Sequence, residues 1–216
     1  MKSSSVHVDA DPDGPVRNAA PRSHGVRPLW LSQVPRDVIL IVLGAALAFA
    51  SEEWRAARQR RTRVDVAVAS LREELTLNRN LVAKALNHHR NLSDTLGKLL
   101  ALHLRPDVAI YSNGMWNPAI VTSTAWQAAR ETGALGDMPL ATVLGIAPAY
   151  EAQDRYRSAS EALGAAIMND VRHDGIDVVL RDRFAQFIPL DVDFANREAR
   201  LLKVYGKALD QLPGHR

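Results

Sequence analysis

The longest uninterrupted apolar stretch of the chain lies near its N-terminal end. Residues 38–50 have the sequence VILIVLGAALAFA, without a single polar side chain. Pro35 stands just before the stretch and suits the first turn of a helix, and Trp30 and Trp54 flank it, as aromatic residues flank membrane helices at the interface. We therefore predict a single transmembrane helix over residues 36–54.

The length of the apolar stretch leaves two other interpretations open. At the helical rise, residues 38–51 extend roughly 21 Å, which is short of the ~30 Å hydrocarbon layer. A membrane helix of this length needs snorkelling by Arg36 and Arg55 or local thinning of the bilayer. A buried core helix is the first alternative. A cleaved signal peptide is the second, although such a segment normally begins nearer the N-terminus.

A heptad pattern follows the apolar stretch. Neither Gly nor Pro occurs between Ala45 and Leu96, so one long helix can continue through this region, and we place it at residues 55–104. Apolar residues recur on it in alternating steps of four and three, as in a coiled coil. The first six positions of this seam are Val64, Val68, Leu71, Leu75, Asn78 and Val82.

Two different surfaces can cover this seam. A shared membrane would hold two copies parallel and at high effective concentration, which favours a homodimer or higher oligomer through residues 64–82. Asn78, paired across the axis, would then fix the register. Alternatively, the later helices of the same chain fold back onto the seam. The remaining seam positions are Ala85, His89, Leu92, Leu96, Leu99 and His103.

Shorter helical patterns fill residues 105–216. Turn signals at Pro106 and over residues 107–122 end the long helix, and strand patterns are nearly absent. We therefore predict an all-α protein, in which the membrane helix continues into the long helix and a bundle of four to five helices forms. The later helices are predicted from Ser123 or Thr124 to Thr132, from Asp137 to about His173 with a kink at Pro148, over residues 176–188 with a stop at Pro189, and from Asp191 or Asp193 onward.

Composition narrows the possible functions. Residues 1–35 hold five of the eleven prolines and no apolar period, so we predict a disordered tail there. The chain has no cysteine, which excludes disulfides, thiolate nucleophiles, iron–sulfur clusters and Cys-ligated zinc. The net charge of +3 is too small to indicate nucleic-acid binding.

Five arginines follow the apolar stretch within nine residues. One interpretation is a patch on the membrane surface, attracted to anionic lipid by ~1 kcal/mol per charge. An equally weighted interpretation is a solvated helix face without a partner. Nucleic acid is disfavoured, because no aromatic platform accompanies the charges. More arginines follow the apolar stretch than precede it, and positively charged flanks tend to stay in the cytoplasm, so this asymmetry favours a cytoplasmic C-terminal domain. The five residues are Arg55, Arg58, Arg60, Arg61 and Arg63.

A series of short motifs resembles a group of uncharacterised bacterial proteins that carry one N-terminal membrane helix and a helical domain of unknown function. The likeness covers residues 36–160, and Pro139 and Pro148 depart from the pattern. It implies a single-pass protein of the bacterial inner membrane and no particular reaction. The motifs are Glu53-Trp54-Arg55, LREEL-x-x-N from Leu71 to Asn78, His88-His89, Thr124-Ala125-Trp126-Gln127 and Thr132-Gly133-Ala134-Leu135.

No motif of catalysis or metal binding stands out. A phosphate loop, a nucleophile elbow and a zinc helix are all lacking in the sequence, and His89 and His103 would lie ~21 Å apart on one helix. Glu73 and Glu74 are interpreted as helix-surface charges. We therefore predict no catalytic, cofactor or metal residues, and a protein that is not an enzyme.

The predicted function is a membrane-anchored interaction or scaffold protein that pairs with itself or with another protein. One alternative is a small-ligand sensor, in which a pocket under Trp116 or Trp126 signals through the membrane helix. A second alternative is a soluble helical protein in which the apolar stretch is buried as core.

Overall fold

A computed structural model describes residues 34–214, with the side chains of residues 36–214. Every regular element within this range is helical, which confirms the all-α prediction. The predicted tail, except for the backbone of residues 34 and 35, lies outside the described residues, as does Trp30. The α-helices are α1 (Val34–Ala101), α2 (Thr124–Glu131), α3 (Ala134–Asp137), α4 (Leu140–Asp174), α5 (Ile176–Arg181) and α6 (Phe187–Gln211), and 3-10 turns occur at Val108–Tyr111 and Phe184–Gln186.

Two compact units divide the chain, and the boundary falls within α1 between Ser51 and Glu52. In the first unit, the side chains of residues 38–50 are exposed throughout; the exposed fraction of Ile41 is 72% and that of Phe49 is 71%. The alternative in which the apolar stretch is core therefore does not describe this structure.

The predicted transmembrane helix at residues 36–54 is not confirmed. None of the helices in the described part of the chain combines the length and the apolar character that crossing a membrane requires.

The second unit is built around the heptad seam. Leu71, Leu75 and Val82 are fully buried in one core cluster, to which α4 contributes Tyr150 and α6 contributes Tyr205. Later helices of the same chain thus cover the seam, which is the second of the two coverings considered in the sequence analysis. Leu71, Leu75, Asn78 and Val82 offer no free surface to a second copy, and Val64 and Val68 are half-buried against the same core. A homo-oligomer through the long helix stays a prediction.

The far end of α1 carries a smaller cluster. Leu92 and Leu96 pack with Tyr111, whose hydroxyl donates a hydrogen bond to the backbone oxygen of Leu180 at 3.0 Å. The helix ends at Ala101, three residues before the predicted end. His103 has a φ of +54°, and the left-handed backbone there closes the helix while Leu104 N donates to Leu99 O at 2.9 Å.

Two prolines lie within helices. Pro148 lies inside α4, which continues through it from Leu140 to Asp174. Pro189 was predicted to stop a helix, but it stands in the first turn of α6, where a missing N–H costs no intrahelical bond. As a result α6 begins at Phe187, and the predicted segment 176–188 is divided between α5, a 3-10 turn and the start of α6.

Candidate functional site

The side chain of Asn78 binds the backbone of the irregular segment before α2. Its Nδ2 donates to the backbone oxygen of Thr122 at 2.7 Å and to Gln153 Oε1 at 3.0 Å, and Thr122 N donates back to Asn78 Oδ1 at 3.1 Å. Gln153 accepts a further bond from Tyr205 OH at 2.7 Å. Asn78 is fully buried, so its predicted role of fixing register between two copies is replaced by a role within one chain.

Glu74 supports the start of α2. Its Oε2 accepts a hydrogen bond from Ala125 N at 2.9 Å, and its Oε1 accepts one from Tyr150 OH at 2.9 Å. A carboxylate is stabilised at a helix N-terminus, where backbone N–H groups lack partners in the helix. The N-cap residue Ser123 makes no capping bond with its side chain, so Glu74 supplies one from α1. The interpretation of Glu74 as a surface charge was therefore wrong.

A second polar cluster centres on Glu198 of α6. His89 Nδ1 lies 3.0 Å from both carboxylate oxygens of Glu198, and Tyr156 OH donates to Glu198 Oε1 at 2.9 Å. The side chains of His89 and Glu198 are fully buried. An ionised Glu198 carboxylate only accepts hydrogen bonds, so it pairs with the form of His89 that carries a proton on Nδ1. The Tyr156 oxygen also accepts a bond from Ala119 N at 2.9 Å, which ties the irregular segment to α4.

Aromatic rings enclose this cluster. The ring of Trp116 lies 5.1 Å from that of His89 and 4.1 Å from that of Phe194, measured between centroids. Trp116 therefore covers the polar cluster. Trp126 stacks on Tyr150 at 4.7 Å, above the Glu74 contact. The space under each predicted ligand-binding tryptophan is thus occupied by side chains of the core.

Two titratable groups beside the cluster have altered pKa values. Burial raises the pKa of Asp191 to about 7; the His89 ring opposes this shift, and the Glu198 carboxylate adds to it. Burial, together with the neighbouring His89, lowers the pKa of His88. Within the described residues, Asp191 Oδ2, His88 Nε2 and His89 Nε2 are buried without a hydrogen-bond partner. No group of three or more potential metal ligands comes together in the same residues.

The sequence of α6 contains a periodic pattern that places two acidic side chains, Asp191 and Glu198, in the core. On α6, residues 191, 194, 198, 201, 205 and 208 follow alternating steps of three and four, and all of them are buried. Asp191 and Glu198 occupy this stripe together with Phe194 and Tyr205. An acidic residue on an apolar stripe predicts a buried partner, and the partner of Glu198 is a polar position of the α1 seam, His89.

An open groove lies between α1 and α2. Its volume is about 1020 Å³, and its lining is mainly apolar, with arginines toward the N-terminal side of α1. Among the predicted arginines, Arg55, Arg58 and Arg63 line it, whereas Arg60 and Arg61 lie outside its lining. The residues that line it include Arg55, Arg58, Gln59, Thr62, Val66, Ser70, Glu73, Leu77, Ala125, Ala128 and Ala129.

All five predicted arginines are exposed. Arg63 pairs with Asp137 at 3.2 Å, and the guanidinium of Arg58 lies over the ring of Trp54, 5.6 Å from its centroid. Arg60 and Arg61 line a second groove beside Gly136 and Asp137, so the cluster is divided between two grooves rather than forming one uniform patch.

Comparison with known proteins identifies no relative: no family model, no curated sequence and no solved structure matches this chain.

Replacement of Asn78 tests the role of its amide. Asn78→Leu should lower the free energy of unfolding by about 2 kcal/mol or more, because the backbone groups of Thr122 and the Gln153 amide lose partners in a buried place. Chemical denaturation measures the change, and Asn80→Leu, at an exposed position of the same helix, is the control. Unchanged stability combined with a shift in association state by sedimentation would instead favour the interchain role.

Asp191 should make stability depend on pH. The folded chain keeps a proton on Asp191 up to about pH 7, whereas the unfolded chain releases it near pH 4. Stability therefore falls as pH rises from about 4 to about 7, by at most ~1.4 kcal/mol per pH unit, and this contribution levels off above that range.

Asp191→Asn should remove that contribution, so its stability relative to the unsubstituted protein should increase with pH across the same window. Denaturation at a series of pH values measures the difference, and Asp193→Asn on the exposed side of α6 is the control. A constant difference between the two proteins over this range would contradict the raised pKa.

Proposed function

We propose that this protein is a membrane-anchored helical interaction module that acts by binding and not by catalysis. The observation that carries the proposal is the open groove between α1 and α2, on a bundle whose hydrogen-bonded clusters around Asn78 and Glu198 lie inside the core. The paired groups are closed off from solvent, so they are suited to holding helices together rather than to meeting a substrate.

The exposed apolar stretch supports the membrane anchor. Each exposed apolar side chain in water costs about 25 cal/mol per Å² of its surface, and residues 38–50 expose such surface on all sides. A bilayer removes this cost. The stretch extends only ~20 Å, so attachment requires a locally thinned bilayer and polar flanks that reach the interface.

The flanking residues are of the kinds that lie at membrane interfaces. Trp54 is 64% exposed and follows the apolar stretch, and Arg58 lies over its ring. The exposed arginines from Arg55 to Arg63 add attraction to anionic headgroups. We place the anchor in the bacterial inner membrane with the bundle on the cytoplasmic side, which agrees with the resemblance and with the arginine asymmetry.

The core favours an interaction module over a ligand sensor. Trp116 packs on Phe194 and His89, and Trp126 stacks on Tyr150. A sensor needs a cavity with convergent polar groups, whereas near these rings His89 binds Glu198 and Tyr150 binds Glu74. The groove, in contrast, is open and presents small side chains, which suits a second protein surface.

Membrane attachment is tested by flotation of the full chain with liposomes and by alkaline carbonate extraction. The unsubstituted protein should float and resist extraction. Ile41→Asp combined with Leu47→Asp should move it to the soluble fraction, because two carboxylates in the middle of the stretch must be desolvated.

Val66→Asp combined with Leu77→Asp is the matched control. Both residues are exposed apolar positions of α1 outside the stretch, at 60% and 54% exposure, so this variant should still float. Recovery of the unsubstituted protein in the soluble fraction would contradict the anchor. Protease digestion of sealed membranes reports the side on which the C-terminal end lies.

A further inference from the structure

A second periodic stripe runs along α1, and it faces the groove instead of the core. Its positions follow steps of four, three, four, four, three and four residues, which is the spacing that one helix presents to another. Every residue of the stripe is exposed and lines the groove. They are Arg55, Gln59, Thr62, Val66, Ser70, Glu73 and Leu77.

The opposite wall is made of alanine and threonine side chains, with no bulky residue. Ala125, Ala128 and Ala129 of α2 line the groove, and only Ala129 is buried. Small side chains allow the backbone of an added helix to approach closely. The groove measures about 1020 Å³, which leaves room for one face of a helix about 10 Å in diameter.

The open side of the groove distinguishes between two kinds of apolar occupant. A small molecule or an acyl chain gains affinity when its pocket encloses most of its surface. An amphipathic helix needs contact on one face only and keeps its polar face in water. A groove that is open to solvent along one side therefore fits a helix better than an acyl chain.

The two ends of the groove carry side chains of opposite charge. Arg55 and Arg58 stand at one end, and Glu73 stands near the other. Arg63 pairs with Asp137, just beyond α2, whereas Glu74 binds Ala125 at the start of α2, so α2 runs opposite to α1. The partial negative charge at a helix C-terminus is stabilised by cations, which orients an added helix with its C-terminal end at the arginines.

We propose that this groove binds a short amphipathic helix of a second protein, with small and aliphatic residues on its buried face and acidic residues at its C-terminal end. The inference names the partner class for the interaction module proposed above and rests on that function. A second copy of α1 does not meet these requirements, because copies held parallel by one membrane would bring arginine against arginine.

The test uses two labelled synthetic peptides of about 14 residues, each with the same Ala/Leu stripe at helical spacing. The first has three Glu at its C-terminal end and three Lys at its N-terminal end, and in the second these charges are exchanged. Fluorescence anisotropy with the full chain should show that the first peptide binds at least about tenfold more tightly. Arg55→Glu combined with Arg58→Glu should reverse the preference.

A second pair of variants tests whether the peptide binds in the groove, by placing a bulky side chain there. Ala128→Trp should weaken binding of the first peptide at least about tenfold, whereas Ala166→Trp, on an exposed position of α4, should leave it unchanged. Both variants are compared by thermal melting, so that a loss of fold is recognised. If the full chain floats with liposomes, the assay is done in zwitterionic nanodiscs; otherwise it is done in buffer. Failure of membrane attachment and failure of peptide recognition are then separate results.

Three results would overturn the proposal. The first is equal affinity for the two peptides, or affinity that Ala128→Trp does not change. The second is displacement of the peptide by dodecanoate, with dodecanoate binding that Ala128→Trp abolishes, since this identifies an acyl chain as the occupant. The third is a dimer of the full chain that dissociates in Ala128→Trp, since this identifies a second copy.

Discussion

The burial of Glu198 is the constraint on which the rest of the helical bundle depends. A carboxylate in an apolar interior is stable only when hydrogen-bond donors surround it. His89 of α1 and Tyr156 of α4 are the donors, so one side chain of α6 fixes the positions of three helices at once. Tyr156 in turn accepts a bond from Ala119 N, which extends the constraint to the segment before α2.

The Asn78 and Glu74 contacts repeat this arrangement about three and four turns away from His89 along α1. In each case a buried polar side chain on the seam (Asn78) or next to it (Glu74) binds a backbone group near residues 122–125 that has no partner in a regular helix. The polar seam positions therefore specify one register of α1 against α4, α6 and the irregular segment. Apolar residues at the same positions would bury as much surface but would permit neighbouring registers.

These contacts show which features the sequence could predict. The helical class, the heptad seam and the irregular segment follow from periodicity and from Gly and Pro positions, which are local properties. The surface that covers the seam could not be predicted in this way, because an apolar stripe packs equally well against a second chain and against a later helix of the same chain. Asn78 illustrates the difference: its polarity on the seam indicated a specific partner, but Thr122 is brought to it only by the tertiary fold.

The groove could not be predicted from the sequence, for the same reason. Its α1 wall is a weak stripe of mixed polarity, and it becomes a surface only because Glu74 and Asn78 hold the start of α2 beside α1. Arg55 and Arg58 were recognised as an exposed basic cluster, but their position at one end of a groove depends on α2. The bundle core thus determines the geometry of the proposed binding surface.

Hydrogen exchange at three backbone amides tests most directly whether buried side chains hold this segment in place. The N–H groups of Ala119, Thr122 and Ala125 donate to Tyr156, Asn78 and Glu74. They should exchange only through global unfolding, as slowly as the core amides of α4 and α6. Exchange as fast as that of their exposed neighbours, Asn117 and Ile120, would contradict the account.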